Sequence, residues 1–180
     1  VRMQVATLER IVNLPQTAAA PPVSQLDPGQ PTAAILVSGY NGLGIHTALT
    51  ALTFFRGYFK NLIFISAGVI DTGAFKSESE LEQVRERTEE DLKRYLSVAQ
   101  ALGAPATYRY AVGTDRVAEL EKLCAQIAKQ YPRVTFFAGK LVFQRDRWYH
   151  PILHNQTSQD LQKRLNWAGI PLLILPIRVK

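Results

Sequence analysis

Beyond residue 31, the pattern of apolar positions falls into short strands separated by longer helical stretches. Continuous runs rich in β-branched or aromatic residues lie at Ala33–Val37, Leu62–Ala67, Thr107–Val112, Val134–Ala138 and Leu172–Leu175, the length and composition of buried strands. Helices are predicted between them, from about Gly44 to Tyr58, Ser79 to Leu102, Asp115 to Gln130 and Gln156 to Ala168. The second opens on acids, which suit the positive end of a helix dipole, and stops at Gly103. The third starts at the capping pair Thr114-Asp115, and the fourth stops at Gly169. Strands that are apolar throughout and joined by helices predict a parallel sheet covered on both faces. The expected fold is therefore a doubly wound, five-stranded α/β fold of flavodoxin-like or Rossmann-like architecture.

The amino-terminal part follows neither pattern. Within Met3–Leu14, Val5, Leu8, Ile11, Val12 and Leu14 alternate with polar residues, making a short amphipathic segment. Pro15–Pro31 then holds five prolines, a density that reads as a semi-rigid linker. The chain divides accordingly into a segment over 1–14, a Pro-rich linker over 15–31 and an α/β domain over 32–180. A length of 180 residues with 47% hydrophobic content suffices for one domain with a full core. The longest apolar candidate, Ile170–Ile177, contains Pro171 and Pro176 and falls short of the roughly 18 residues a bilayer span needs. The amino terminus also lacks the charged start and apolar centre of a signal peptide.

Cysteine usage and charge refine this picture. The single cysteine, Cys124, excludes an internal disulfide and shares helical spacing with Val117, Leu120, Leu123, Ile127 and Ala128. It is expected to be a packed core thiol in a reducing, cytosolic compartment. The net charge of +6 is carried by Arg133–Lys180, with eight basic residues against two acids, whereas Glu78–Asp91 holds seven acids against Arg85 and Arg87. Nucleic-acid binding would want basic residues interleaved with aromatics on one face. Only Arg145, Arg147, Trp148 and Tyr149 approach that, so no nucleic-acid partner is expected. Solvation explains the asymmetry ahead of an anionic membrane or an acidic partner.

In a doubly wound sheet, ligands bind outside the carboxyl ends of the strands, where the strand order reverses. The residues expected there are Ser38–Gly44, Val69–Gly73, Gly113–Asp115 and Gly139–Phe143. Glycines at 39, 42 and 44 follow the first strand in a G-x-x-G-x-G spacing, which is neither a dinucleotide fingerprint nor a phosphate loop. Turn geometry and close helix-to-strand packing account for them ahead of an anion cradle. The candidate ligand residues are Ser38, Gly39, Asn41, Gly42, Gly44, His46, Asp71, Gly113, Gly139 and Lys140. Asp71 is read first as a turn residue, with a ribose hydroxyl or a cation as the alternative. His150 and His154 have metal-ligand spacing, but Pro151 interrupts the helix they would share. Ser38 lies outside any G-x-S-x-G elbow, so no serine hydrolase is indicated. Arg145, Arg147, Trp148 and Tyr149 form the candidate interface, as a partner contact or a built-in lid.

The turn Val112-Gly113-Thr114-Asp115 and the strand Phe136-Phe137-Ala138-Gly139 resemble the universal stress protein fold. That family commonly carries G-x-x-G, an insert and then G-[ST], a loop that holds ATP phosphates. Here Val142 stands at the second glycine, Asn155-Gln156-Thr157-Ser158 replaces G-[ST], and Ser38 replaces the adenine-side Asp. A resemblance from Pro31 to Val179 is closer. LVSGYNGLGIHT, KNLIFISAGVIDTGAFK, YRYAVGTD, FFAGKLVFQRDRWYHPILHNQT and AGIPLLILPIRV resemble the cytosolic carboxyl-terminal domain of bacterial permeases of the amino acid-polyamine-organocation superfamily. The resemblance implies a non-catalytic regulatory or interaction domain on the cytoplasmic side of the bacterial inner membrane, with no cofactor. Its implied partners are the membrane part of the same permease, a second copy, and a small anion or nucleotide. The alternatives are a stand-alone universal-stress-type protein that binds a nucleotide or anion, and an enzyme of unrecognised type using His46 and Asp71.

Overall fold

The computed structural model describes residues 25–70, 78–143 and 153–179. Along them run β1 (Thr32–Leu36), α1 (Gly42–Phe54), β2 (Asn61–Val69), α2 (Glu78–Ala101), β3 (Ala106–Gly113), α3 (Arg116–Gln130), β4 (Val134–Phe143), α4 (Leu153–Trp167) and β5 (Leu172–Val179). All strand pairs are parallel, in the order β3-β2-β1-β4-β5. The chain steps outward from β1 to β2 and β3, then crosses back to β4 on the other side of β1. The order therefore reverses between β1 and β4, and the fold is the doubly wound five-stranded α/β fold expected from the sequence.

Pleating divides the core into two layers. Ala33, Ile35, Val37, Leu62, Phe64 and Phe137 face α1 and α2. Their neighbours Ala34, Ile63, Ile65, Ala67, Phe136 and Ala138 face α3 and α4. Successive side chains along a strand point to opposite faces, so a strand buried on both sides must be apolar at every position. β2 is buried from Asn61 to Gly68 and meets that demand except at Asn61 and Ser66, its two buried polar positions. Cys124 is fully buried among Leu120, Leu123 and Ile127, and burial pushes its thiol up to about 12, so it packs as a protonated core group.

Helix ends follow the local chemistry of the sequence. Asp115 caps α3, its carboxylate accepting from the amides of Val117 at 2.9 Å and Ala118 at 3.2 Å. Gly103 and Gly169 have φ of 68° and 71° and stop α2 and α4. Behind Gly169, the amide of Ile170 returns to the carbonyl of Leu165 at 2.9 Å.

Several boundaries differ from the sequence reading: α1 ends at Phe54 and not at Tyr58, and α4 begins at Leu153 and not at Gln156. β4 and β5 run past the expected ends at Ala138 and Leu175, because they go on pairing from Gly139↔Leu175 to Phe143↔Val179. Pro176 is tolerated there because β5 is an edge strand, where no neighbour needs its missing N–H. The linker assigned to 15–31 is docked on the domain from residue 25 onward. Leu26 is buried in the layer under α3 and α4. Asn61 Nδ2 donates to the carbonyl of Asp27 at 2.7 Å and to Thr32 Oγ1 at 3.0 Å, and the Lys60 amide donates to the carbonyl of Pro31 at 2.8 Å. Proline density excludes helix and strand but not burial of an isolated leucine. The amphipathic segment over 1–14 lies outside the described residues.

Leu26 separates a docked strap from a free tether. Leu26→Ala is expected to lower the unfolding free energy by about 2 kcal/mol or more, measured by urea denaturation. A plain tether would leave the midpoint unchanged.

Candidate functional site

The carboxyl edge of the sheet gathers the β1–α1 loop, the end of β3 and the start of α3. Gly39 turns the chain out of β1 with φ of 69°, a left-handed conformation that a side chain disfavours. Asn41 then caps α1. Its Oδ1 accepts from the Gly44 amide at 3.0 Å, and its Nδ2 donates to the Ser38 carbonyl at 2.7 Å. The loop's hydrogen bonds are thus closed within it on one side.

On the other side they are closed by Tyr95, a residue that sequence reasoning missed. Tyr95 is fully buried on α2, yet its hydroxyl reaches the β1–α1 loop. Tyr95 Oη accepts from the Asn41 amide at 3.2 Å and donates to the carbonyl of Gly39 at 3.1 Å, with the carbonyl of Asn41 at 3.3 Å. Its ring stacks on Phe64 at 4.9 Å and meets Tyr40 edge-on at 5.0 Å. Burial raises the Tyr95 hydroxyl above the ordinary phenol range, so it stays protonated and able to donate. Gly44 makes room for this contact. A Cβ there would run into Tyr95 Oη and stand 3.0 Å from Val37 Cγ1. The glycine spacing therefore serves turn geometry and close packing, as expected, with the hydroxyl of Tyr95 as the packed group.

Arg116 is the second missed residue. It opens α3 and donates from Nη1 to Ser38 Oγ at 2.9 Å, bridging the end of β1 and the helix that follows β3. A cation in the first turn opposes the helix dipole. That misfit is visible in the sequence directly after the cap Asp115. The outer rim of the loop is held by α2, with the Arg94 guanidinium 3.8 Å above the centre of the Tyr40 ring and 3.9 Å from Asp91 Oδ1.

The other expected residues are dispersed. Gly42 is the first residue of α1, and His46 is half-buried in its second turn. Gly113 closes β3, packed against the Glu119 side chain of α3. Gly139 and Lys140, placed in a loop by sequence, lie within β4. A Cβ on Gly139 would collide with Thr47 Oγ1 and come within 2.8 Å of Leu43 Cδ1 of α1, so its bareness serves helix-to-strand contact. The spacing of glycines distinguishes a tight approach from a turn only when the strand's end is known. Asp71, Arg145, Arg147, Trp148, Tyr149 and His150 lie outside the described residues. His154 lies on α4, whose first turn is described in its backbone alone. Among the described residues, no three His, Cys, Asp or Glu side chains gather as metal ligands.

Ala at position 39 is expected to cost about 1 kcal/mol or more through strained φ, and at position 44 clearly more, because Tyr95 is displaced. Tyr95→Phe leaves the loop groups unpaired and is expected to cost about 1–3 kcal/mol; thermal and urea unfolding measure all three. Tyr95 is held above the ordinary phenol value of 10.0, by burial first, and Tyr108 is pushed up to about 12 by burial and its bond to Glu89. The folded state thus keeps protons that the unfolded chain releases. Stability is full below a pH of about 10 and falls as pH rises beyond it. Tyr95→Phe is expected to flatten that fall.

No protein-family model matches the chain, and no curated protein does. Among solved structures, one from the universal stress protein family of Burkholderia pseudomallei aligns with a TM-score of 0.54 at 14% identity, over 82% of this chain and 96% of that one. A structure of the PezAT chromosomal toxin-antitoxin system of Streptococcus pneumoniae aligns over 97% of this chain and 75% of that one, at 16% identity and a TM-score of 0.36. The second likeness is too low to bear on the architecture. The first shows that this chain has a universal-stress-protein-like α/β fold.

Proposed function

We propose that the chain is a non-catalytic regulatory or interaction domain that acts through protein contacts, as the cytosolic carboxyl-terminal part of an amino acid permease. The observation that carries this reading is the Tyr95 hydroxyl seated in the β1–α1 loop. Backbone amides at the end of β1 are what a doubly wound sheet offers an anionic ligand. Here the Asn41 amide is given to the chain's own tyrosine. Val142 lies within β4, where a phosphate loop would need a second glycine.

The permease assignment rests on the long motifs between Pro31 and Val179. It is also supported by the docked strap, whose Asp27 and Pro31 are held at the amino edge of the domain, the end at which a chain suspended below a membrane would enter it. The transported substrate then binds in the membrane part. The proposed partners are that part and a second copy of the domain, with Arg145, Arg147, Trp148 and Tyr149 as contact residues. A second reading, a stand-alone protein that binds a small anion, is favoured by Arg116 and Ser38 at the point where strand order reverses.

Calorimetry with ATP and Mg²⁺ separates the two. The first reading expects no heat of binding at micromolar concentrations, and binding in that range would promote the second. The reading frame upstream of Val1 tests the permease assignment, which requires about a dozen apolar spans of roughly 20 residues each. The double variant Trp148→Ala, Tyr149→Ala is expected to remain folded and lose association in sedimentation analysis. Loss of several kcal/mol of stability instead would make the pair a lid or a core element.

A further inference from the structure

The amino edge of the sheet, opposite the candidate site, carries exposed apolar side chains that the core does not use. In a parallel α/β sheet every connecting helix ends at this edge. α1 ends in Phe54, 68% exposed, followed by Tyr58, 50% exposed; α4 ends in Trp167, 93% exposed; Leu102, 39% exposed, follows α2. Phe55 and Phe59 anchor the turn after α1, their ring centres 5.8 and 5.5 Å from that of Phe137. Phe54 is left outside this anchor, and Tyr58 meets it only edge-on, its ring centre 5.0 Å from that of Phe59.

Scattered exposed apolar residues are ordinary. The charge around these is not evenly mixed. Arg56 and Lys60 interleave with the aromatics, and Lys129 and Arg133 flank the end of α3 and the start of β4, all four exposed. Against them the described residues at this edge offer Asp27, whose carboxylate already accepts from the Gly29 amide at 2.9 Å. The acids Glu78, Glu80 and Asp115 begin helices at the far edge.

We infer that this edge docks on the surface of an anionic lipid bilayer. Phe54, Tyr58 and Trp167 seat at headgroup level, and Arg56, Lys60, Lys129 and Arg133 meet lipid phosphates. The chain enters the domain at the same edge, since Lys60 and Asn61 hold the backbone of Pro31 and Asp27. The described chain thus enters β1 from the side that would face the lipid. A second copy fits this face less well, because a two-fold axis would set like charges against each other. The inference is independent of the permease reading, as the surface belongs to this chain whatever precedes it.

The test is sedimentation of the full 180-residue chain with vesicles of phosphatidylcholine and phosphatidylglycerol, or of phosphatidylcholine alone. The parent is expected to bind the anionic vesicles, more weakly as salt rises, and to leave the neutral ones largely unbound. Arg56→Gln with Lys60→Gln is expected to weaken binding by roughly fivefold per residue. Lys60 Nζ also donates to the Gly57 carbonyl at 2.8 Å, so Arg56→Gln alone serves should the pair melt early. Phe54→Ser with Tyr58→Ser is expected to weaken binding by at least about tenfold. In a Trp148→Phe background, Trp167 is the remaining tryptophan, and its emission is expected to shift to the blue on anionic vesicles. Absence of parent binding would overturn the inference. So would equal binding by parent and variants, which would assign lipid contact to the first 24 residues. A variant that binds vesicles like the parent but no longer dimerises would make the edge a self-interface instead. Loss of the permease assignment would leave all of these outcomes unchanged.

Discussion

The hydroxyl of Tyr95 is the joint on which the carboxyl edge of this molecule depends. A phenol placed at zero exposure gains from its ring but pays for its oxygen unless that oxygen is hydrogen-bonded. The bonds it finds are backbone groups of the β1–α1 loop, presented there because Gly39 takes a left-handed turn and because residue 44 has no Cβ to block the approach. A strand end, a helix start and the middle of a different helix thus form one unit. The phenol ring simultaneously belongs to the core through its stack on Phe64. Packing of α2 and the conformation of the loop are therefore coupled.

The parallel topology separates the two ends of the domain by chemistry. At the carboxyl edge lie the capping residues Asn41 and Asp115, whose side chains satisfy helix amides and leave a polar rim bridged by Arg116 and Ser38. At the amino edge lie helix ends, aromatic side chains and the docked strap. β3, at one border of the sheet, is held to α2 by the 2.7 Å bond from Tyr108 to Glu89. That bond and the Lys93 pair keep the Glu89 carboxyl below its usual range.

Continuation of β4 and β5 past the sheet's centre decides what the family-like loop can be. Where the resemblance to universal stress proteins led to the expectation of a turn after Gly139, five further register pairs extend from Gly139 to Phe143. A residue inside a ladder has its amide and carbonyl committed to neighbours, so Lys140 and Val142 are strand positions and not loop donors. The bareness of Gly139 is taken up by Thr47 and Leu43 of α1.

Periodicity and end chemistry in the sequence determined the strands, the helices, the stops at Gly103 and Gly169, the cap at Asp115 and the burial of Cys124. These depend on residues close together in the chain, and two-sided burial forces strands to be apolar throughout. The glycine turn after β1 was also legible as a turn. Tertiary structure alone decided what fills it, because Tyr95 reads by spacing as an ordinary core residue beside Leu92 and Leu96, and its hydroxyl acts on residues more than fifty positions away. The docking of Leu26 and the bridge from Arg116 to Ser38 were hidden for the same reason. Local patterns specify which faces are buried, whereas the partner that closes a hydrogen bond across the fold is set by strand order, which no single segment encodes.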